Sequence, residues 1–132
     1  MNRIPFPKVF RVEPASQCNL MCAHCPTGTV TMERGLMPSA VFERVIEELE
    51  LHKDRVETVV LYHGGEPLLN AKIYSMIGAI KNVRRDFLVK TVTNGMALTK
   101  SNSKKLISSD IDEIEISLDG MSAEESEVIR RK

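Results

Sequence analysis

Three cysteines in one short segment are the residues of this chain whose type and spacing most clearly indicate chemistry. Cys18, Cys22 and Cys25 form a C-x3-C-x2-C pattern, and the 132 residues contain no other cysteine. A disulfide scaffold would have an even number of cysteines spread along the chain. Thiolates at this spacing can instead ligate three different irons of a cubic cluster. Because no fourth thiolate is available, one iron keeps an open position, which suggests catalysis over electron storage.

Other interpretations of the cysteines stay open on the residues alone. They could be packed and inert, or Cys18, Cys22 and Cys25 could hold zinc together with His24. Against zinc, His24 adjoins Cys25, and neighbouring side chains do not readily converge on one tetrahedral ion. A redox C-x2-C pair would leave Cys18 without a role. The iron–sulfur interpretation is therefore favoured.

The rest of the chain must position these thiols, and its hydrophobic periodicity alternates between strand and helix. Apolar runs predict four strands, over residues 9–12, 56–62, 87–93 and 113–118. Amphipathic stretches predict four helices, which begin near Ser39, Asn70, Thr99 and Ser122. Regular alternation of this kind predicts an α/β fold with a parallel sheet.

Three features define the predicted helices and their extent. Ser39 and Asn70 are the expected N-caps of the first two helices, and Ser122 with Glu125 has the pattern of a capping box. The last helical pattern runs to Lys132 without a terminating glycine or proline. Four βα units make an open sheet, so we expect an incomplete domain.

Ligands in such folds bind at the carboxyl ends of the strands. The cysteines follow the first predicted strand, and the second is followed by His63 and the pair Gly64-Gly65. Glycines let the backbone come close to a ligand, although a tight turn is the alternative. His63 is expected either to line the cavity or to be structural.

The end of the fourth predicted strand carries a polar face. Glu115, Ser117 and Asp119 alternate with apolar residues, and we expect this face to point inward, where carboxylates need partners. The alternative is that a short sheet leaves the face in water.

Bulk composition excludes several classes of function. Eighteen basic and eighteen acidic residues cancel, so no net field attracts nucleic acid or an anionic membrane. Trp is absent and no apolar stretch is long enough to span a bilayer. Residues 1–7 contain two prolines and no apolar run, so they do not form a secretory signal. A cytoplasmic location is predicted.

Four motifs in order along the chain resemble those of the radical S-adenosylmethionine (SAM) superfamily. They are the cysteine motif after Glu13-Pro14, GGEP at 64–67, TNG at 93–95 and SLDG at 117–120. The sequence RGLM at 34–37 resembles the subgroup with SPASM or twitch extensions. The resemblance implies that residues 1–132 are the N-terminal portion of a radical SAM core domain. Such a portion is a partial (β/α) barrel of about four βα units, truncated before the remaining strands.

The resemblance also implies the cofactors and the reaction. These are a [4Fe–4S] cluster on Cys18, Cys22 and Cys25, and SAM, which is cleaved reductively to a 5′-deoxyadenosyl radical that abstracts hydrogen from a substrate. The implied partners are a flavodoxin- or ferredoxin-like reductant and a peptide or small-molecule substrate, with no nucleic acid and no membrane. The alternatives are a non-catalytic iron–sulfur or zinc module and an inactive remnant.

A set of residues is implied to bind SAM by the same resemblance. Its members are Gly64, Gly65, Glu66, Pro67, Asn94, Ser117, Asp119, Arg130 and His24. The glycine carbonyls and Glu66 would contact the SAM ammonium, Ser117 and Asp119 the ribose, and Arg130 the carboxylate. Asn94 is a weaker candidate of the same kind. His24 would lie near the adenine, although the family more often has an aromatic residue there.

The cysteines generate the first testable prediction. Anaerobic incubation with iron and sulfide is expected to give a brown protein with broad visible absorption, whereas zinc would leave it colourless. Changing Cys18, Cys22 and Cys25 to alanine removes the thiolates and is expected to abolish iron and sulfide uptake, measured by elemental analysis. Undiminished iron in the triple variant would contradict the assignment.

Overall fold

The structure, a computed structural model, describes residues 5–131, which form a four-stranded sheet and its helices. The strands are β1 Val9–Val12, β2 Thr58–Leu61, β3 Leu88–Thr93 and β4 Glu113–Ile116. They lie in the order β1-β2-β3-β4, and every neighbouring pair is parallel. The predicted α/β class and parallel sheet are therefore confirmed, and all carboxyl ends of the strands lie at one edge.

Five α-helices and one short 3-10 helix fill the connections among the described residues. The α-helices are α1 Pro26–Thr29, α2 Ser39–His52, α3 Ile73–Val83, α4 Lys100–Ile107 and α5 Ala123–Ile129. The 3-10 helix spans Pro67–Leu69. Neither α1 nor the 3-10 helix is predicted from periodicity, because each is too short to show one. Both begin with proline, whose fixed φ and missing N–H suit the first turn of a helix.

The core lies between the central strands and α3. Val59, Val60 and Leu61 in β2 are all buried, as expected for a strand inside a sheet. The predicted apolar stripe of α3 is buried as well, and it consists of Ile73, Met76, Ile77 and Ile80. Each such side chain contributes roughly 1.5–3 kcal/mol relative to exposure. This packing fixes the sheet that carries the strand-end residues.

The expectation of an inward polar face on β4 is wrong for Glu115, whereas Ser117, just beyond the strand, does line the cavity at the strand ends. β4 lies at the edge of the sheet, and the Glu115 side chain is 59% exposed beside Lys90, whose Nζ lies 3.7 Å from Glu115 Oε2. The apolar face is only partly covered, since Ile114 packs against the core whereas Leu118 is 80% exposed. The strand itself ends at Ile116, two residues earlier than predicted. At an edge position the carboxylate stays in water and needs no buried partner.

Two of the predicted helix caps are also wrong. The N-cap of α2 is Pro38, and the hydroxyl of Ser39 accepts a hydrogen bond from Lys72 Nζ at 2.6 Å. The N-cap of α3 is Lys72, while the Asn70 side chain links two loops by accepting from Lys72 N and donating to Pro14 O. A tertiary contact thus engages each side chain, although Asn70 still accepts a backbone N–H at the start of α3.

The other two helix starts are confirmed. Thr99 and Ser122 cap α4 and α5, each accepting a backbone N–H three residues on. Glu125 reaches back to the backbone N–H of Met121, one residue before the N-cap, and not to that of Ser122 as in a standard capping box.

The last helix ends earlier than its sequence pattern predicts. α5 stops at Ile129, where Arg130 leaves helical geometry. The carbonyls of Ile129 and Arg131 accept backbone N–H groups from the cysteine segment, namely those of Ala23 and Met21. Lys132, to which the prediction extended, lies outside the described residues, as do residues 1–4 of the predicted N-terminal segment.

No helix in the described part of the chain combines the length and the apolar character that crossing a bilayer requires.

A buried lysine joins the far end of α3 to the start of β4. The Lys81 side chain is 5% exposed, and its Nζ donates to Phe87 O at 2.7 Å and to Asp112 Oδ2 at 2.5 Å. Asp112 also accepts from Val89 N at 2.7 Å. Burial alone would raise the pKa of Asp112, but the hydrogen bonds from Lys81 and Val89 outweigh it and hold the pKa below its usual 3.8.

This ion pair generates a pH-dependent prediction. Asp112→Asn leaves the buried ammonium without its anion and is expected to cost about 1–2 kcal/mol in the free energy of unfolding at pH 7. Because the folded pKa of Asp112 is lowered, its contribution is present above about pH 4 and lost as the pH falls further. The gap in melting temperature between wild type and variant should therefore shrink at pH 3.

The exposed pair of Lys8 and Glu57 provides a matched control. Its atoms are 2.6 Å apart but the side chains are 74% and 61% exposed, so Glu57→Gln is expected to change the melting temperature little. If the difference in melting temperature between wild type and Asp112→Asn stayed constant from pH 7 to pH 3, the stabilising role of the Asp112 carboxylate would be contradicted.

Candidate active site

One cavity at the carboxyl edge of the sheet collects residues from all four strand ends. The residues lining it are Cys18, Leu20, Cys22, His24, Cys25, Tyr62, Gly64, Gly65, Glu66, Val92, Thr93, Asn94, Ser117 and Arg130. All three cysteines are present, together with most of the residues predicted to bind SAM. The structure thus brings together side chains that are more than 100 positions apart in the sequence.

Three predicted residues are not among those that line the cavity. Pro67 is buried and starts the 3-10 helix, so its role is to turn the chain after Glu66. His63 is exposed outside the cavity. Asp119 does not line the cavity itself, but it contacts the lining residue Arg130.

The cysteine loop, residues 13–25, packs against glycines from two directions. A Cβ on Gly65 would lie 2.0 Å from Ala15 O and 2.7 Å from Gln17 O. A Cβ on Gly28 would lie 2.6 Å from the carbonyl carbon of Met21. No side chain fits at either position. The glycine pair was predicted to let the backbone approach a ligand; Gly65 instead approaches the cysteine loop, and the ligand contact stays a prediction.

Arg34 ties the two ends of the cysteine loop together. Its guanidinium donates to Ser16 O at 3.3 Å, before the cysteines, and to Pro26 O at 3.1 Å, after them. The next residue, Gly35, exchanges hydrogen bonds with Ser16 through both its N–H and its carbonyl. Arg34 and Gly35, which belong to the segment that resembles a subgroup motif in the sequence, thus hold the two ends of the cysteine loop together.

Glu66 is a buried carboxylate that accepts three hydrogen bonds from other residues of the protein. It is 1% exposed, and Oε1 accepts from Leu68 N at 3.0 Å and from Thr93 Oγ1 at 2.8 Å. Oε2 accepts from Asn94 N at 2.8 Å. A carboxylate has about four acceptor positions. One therefore remains on Oε2, so Glu66 joins two strand ends and keeps a single acceptor for a ligand.

Asp119 and Arg130 form an incomplete contact at the edge of the cavity. Arg130 Nε lies 2.7 Å from Asp119 Oδ2, but the N–H is not directed at the oxygen, and neither atom has a hydrogen-bond partner among residues 5–131. His24 Nε2 lies 3.9 Å from the same oxygen. The two charges offset each other as an ion pair, but buried polar atoms without directed hydrogen bonds are costly. Their geometry suits a polar ligand that supplies the missing bonds.

Titration in the cavity is perturbed by burial and by charge. Burial raises the pKa of the Cys22 thiol, and the Arg130 guanidinium partly opposes this. Burial also raises the pKa of Tyr62 above 10.0, with the Cys25 and Cys18 sulfurs adding to the effect. Tyr62 was not predicted as a site residue. Its position directly after β2 was the available signal, since that is where ligand-facing residues are expected.

The arrangement of the thiols favours a group larger than one ion. Among residues 5–131, no three His, Cys, Asp or Glu side chains are arranged to hold a metal ion. A zinc ion needs its thiolates to converge at about 2.3 Å. A cubic cluster instead spreads three thiolates over three irons. Cys18, Cys22 and Cys25 all line one cavity, and with no fourth cysteine in the sequence they suit three irons of a cluster better than a four-coordinate zinc ion.

Comparison with known proteins decides the family. The family model described as the Radical SAM superfamily matches residues 12–132. The chain belongs to the Radical SAM superfamily. Members of this family are enzymes that use a [4Fe–4S] cluster and SAM, so the predicted family, enzyme class and cofactor pair are confirmed.

Two curated relatives show how far the similarity extends. The chain is 30% identical over 116 residues to the mycofactocin maturase MftC of Mycolicibacterium smegmatis, covering 87% of the chain and 28% of the relative. It is 29% identical over 130 residues to a GTP 3′,8-cyclase of Synechococcus sp., covering 88% of the chain and 35% of the relative. The maturase is of the SPASM type, in agreement with the predicted subgroup. The chain spans about a third or less of these relatives.

Solved structures share the fold. BtrN in complex with AdoMet and 2-DOIA is 25% identical, with a TM-score of 0.78 over 90% of this chain and 48% of that one. SuiB of Streptococcus suis bound to S-adenosylmethionine has a TM-score of 0.74 over 95% of this chain and 28% of that one, at 22% identity. These similarities confirm that the four-stranded parallel sheet has the fold of a partial radical SAM (β/α) barrel.

The glycine contacts generate a prediction about the loop. Gly65→Ala forces a methyl group against the Ala15 carbonyl and is expected to cost about 3 kcal/mol in the free energy of unfolding. Because the displaced backbone carries the cysteines, iron bound per chain after reconstitution should fall as well. Thermal unfolding and elemental analysis measure the two effects.

Gly78 in α3 is the matched control. Nothing lies within 4 Å of a Cβ built there, so Gly78→Ala is expected to stabilise the protein by about 0.5–1 kcal/mol and to leave iron binding unchanged. Normal iron content and stability in Gly65→Ala would show that the loop does not depend on this contact.

Proposed function

We propose that this chain binds a [4Fe–4S] cluster through Cys18, Cys22 and Cys25 and binds SAM beside it in the same cavity. The proposed activity is reductive cleavage of SAM to a 5′-deoxyadenosyl radical that abstracts hydrogen from a substrate. The observation that carries the proposal is the cavity, where three thiols meet polar residues from the other strand ends.

The residues present fit a cluster with one open iron. The three thiols share one cavity, and the sequence offers no fourth cysteine. In the described part of the chain the loop is held on both sides, by Gly65 and Gly28 in backbone contact and by Arg34 across its ends. Such anchoring keeps the ligands in place and shields the cluster.

The residues also fit SAM. The remaining acceptor on Glu66 Oε2 is suited to an ammonium, because a carboxylate forms strong, charge-assisted bonds with it. Arg130 Nε and Asp119 Oδ2 are buried without hydrogen-bond partners in the described chain. A carboxylate would satisfy the guanidinium, and a ribose hydroxyl would satisfy the Asp119 carboxylate. This supports the roles that the family resemblance implied for both residues.

The remaining candidates surround the same space. Ser117 is held beside Asn94 because its backbone N–H donates to Thr93 O at 2.9 Å. His24 lines the cavity with a side chain that is 58% exposed, which leaves one ring face available for stacking on adenine. The carbonyl of Gly64 already accepts the Thr27 hydroxyl at 2.6 Å, so its second lone pair is the one available to a ligand.

When bound, the two cofactors together supply a carbon radical generated by one electron from an external flavodoxin- or ferredoxin-like reductant. The chain contributes binding, orientation and exclusion of water. The related sequences include a maturase and a nucleotide cyclase. We infer that this part of the chain serves the radical-forming step, and that a peptide or a small molecule is the substrate of the whole protein.

Spectroscopy of the reconstituted chain tests the proposal. Addition of SAM to the dithionite-reduced protein is expected to change the electron paramagnetic resonance spectrum, because SAM would bind the open iron. Chromatography should then detect 5′-deoxyadenosine, at up to about one equivalent per cluster in a single turnover. A spectrum unaffected by SAM would favour an electron-transfer module.

Arg130→Met provides the site-specific arm of this test. It removes the guanidinium while leaving the thiols intact, so iron content should be unchanged and the SAM concentration for half-maximal spectral change should rise about tenfold or more. Arg131→Met, with an exposed side chain next in sequence, is the matched control. Equal SAM dependence in the two variants would contradict the proposed role of Arg130.

A further inference from the structure

The hydrogen bonds around the three cysteine sulfurs are unequal. The Sγ atom of Cys18 accepts two N–H groups, from the Leu20 backbone at 3.4 Å and from Asn94 Nδ2 at 3.6 Å. Within residues 5–131, the sulfurs of Cys22 and Cys25 accept none. Cys18 is therefore the one thiolate whose charge is stabilised by directed donors.

The orientation of the Asn94 amide is fixed by its other contacts. Its Oδ1 accepts from Met96 N at 2.9 Å, and its own backbone N–H donates to Glu66 Oε2 at 2.8 Å. A flipped amide would lose the bond from Met96, so Nδ2 must face the cysteine loop. Its two protons have two acceptors there, Cys18 Sγ and Asn19 Oδ1, the latter at 2.8 Å.

We propose that Asn94 raises the reduction potential of the cluster by donating a hydrogen bond to the Cys18 thiolate. The inference rests on the proposed function, since it requires a cluster at the cysteines. Reduction by one electron from the external reductant adds negative charge to the cluster and its sulfurs. A donor aimed at a sulfur therefore stabilises the reduced state more than the oxidised state.

This role differs from the contact with SAM that the family resemblance implied for Asn94. Both amide protons are already engaged by the cysteine loop, and Oδ1 is engaged by Met96. The side chain acts on the cluster through its ligand, so Asn94 is a positioning residue that also tunes the electronic state of Cys18.

Redox titration of the reconstituted 132-residue chain tests the proposal. Asn94→Ser and Asn94→Asp each keep an oxygen for Met96 N–H. The serine hydroxyl is one bond shorter than the amide and does not reach Cys18, whose present donor is already 3.6 Å away, and the aspartate has no N–H to donate. At a fixed external potential, the ratio of reduced to oxidised cluster should fall about threefold in Asn94→Ser. This corresponds to a shift of about 28 mV to more negative potential, because 59 mV is tenfold for one electron. Asn94→Asp should shift further, since it adds negative charge near the sulfur.

Asn19→Ala is the matched control. It removes the second acceptor of Asn94 Nδ2 but leaves the donor to Cys18, so the potential is expected to stay at the wild-type value. Resonance Raman spectra should show a terminal iron–thiolate stretch at higher frequency in the Asn94 variants alone, because a thiolate without the donor bonds iron more strongly.

The outcomes separate this inference from the proposed function. If the wild-type chain takes up no iron and sulfide, both the proposed function and the inference about Asn94 are overturned. If the wild-type chain binds the cluster but both Asn94 variants have the same reduction potential as the wild type, only the inference is overturned. If the reduction potential shifts as much in Asn19→Ala as in Asn94→Ser, the inference is also overturned, since anchoring of the cysteine loop would then account for the effect.

Discussion

Contact between two pieces of backbone is the constraint on which the site depends. Gly65, in the loop after β2, lies so close to the carbonyls of Ala15 and Gln17 that no side chain fits between them. The same approach lets the N–H of Glu66 donate to Gln17 O at 2.8 Å. The loop that carries the thiols is thereby fixed to the loop that carries the buried carboxylate, and the relative position of the two follows from the absence of one Cβ.

The buried charge of Glu66 organises the second half of the site. Three donors from Leu68, Thr93 and Asn94 satisfy most of its acceptor positions, so the carboxylate is held rigidly at 1% exposure. Through Asn94 the same network reaches the Cys18 sulfur. The proposed ligand of the SAM ammonium and the proposed modulator of the cluster are therefore neighbours in one chain of hydrogen bonds. In a site that excludes water, such bonds are stronger than they would be in solvent.

Much of this arrangement could be predicted from local pattern. The three clustered thiols indicated the metal chemistry, because the sequence has no other cysteine with which they could form disulfide bonds. Periodicity predicted all four strands and the buried stripe of α3, and parallel strands necessarily end at one edge, so the motifs at 64–67 and 93–95 were expected near the cysteines. The caps at Thr99 and Ser122 followed from residues three positions apart. Each of these features is decided by neighbours in the sequence.

Long-range contacts decided the rest. Ser39 and Asn70 have the side chains of N-caps, but Ser39 bonds to the Lys72 ammonium and the Asn70 amide also bonds to Pro14 O. Glu115 lies in water because β4 is at the edge of the described sheet. Sequence alone determined which residue types meet at the strand ends. Only the tertiary structure decided which atoms are already engaged, as for Glu66 and Asn94, and which are left without partners, as for Asp119 and Arg130 among the described residues. Hydrogen-bond saturation depends on ångström-scale distances between segments, and no local sequence pattern encodes them.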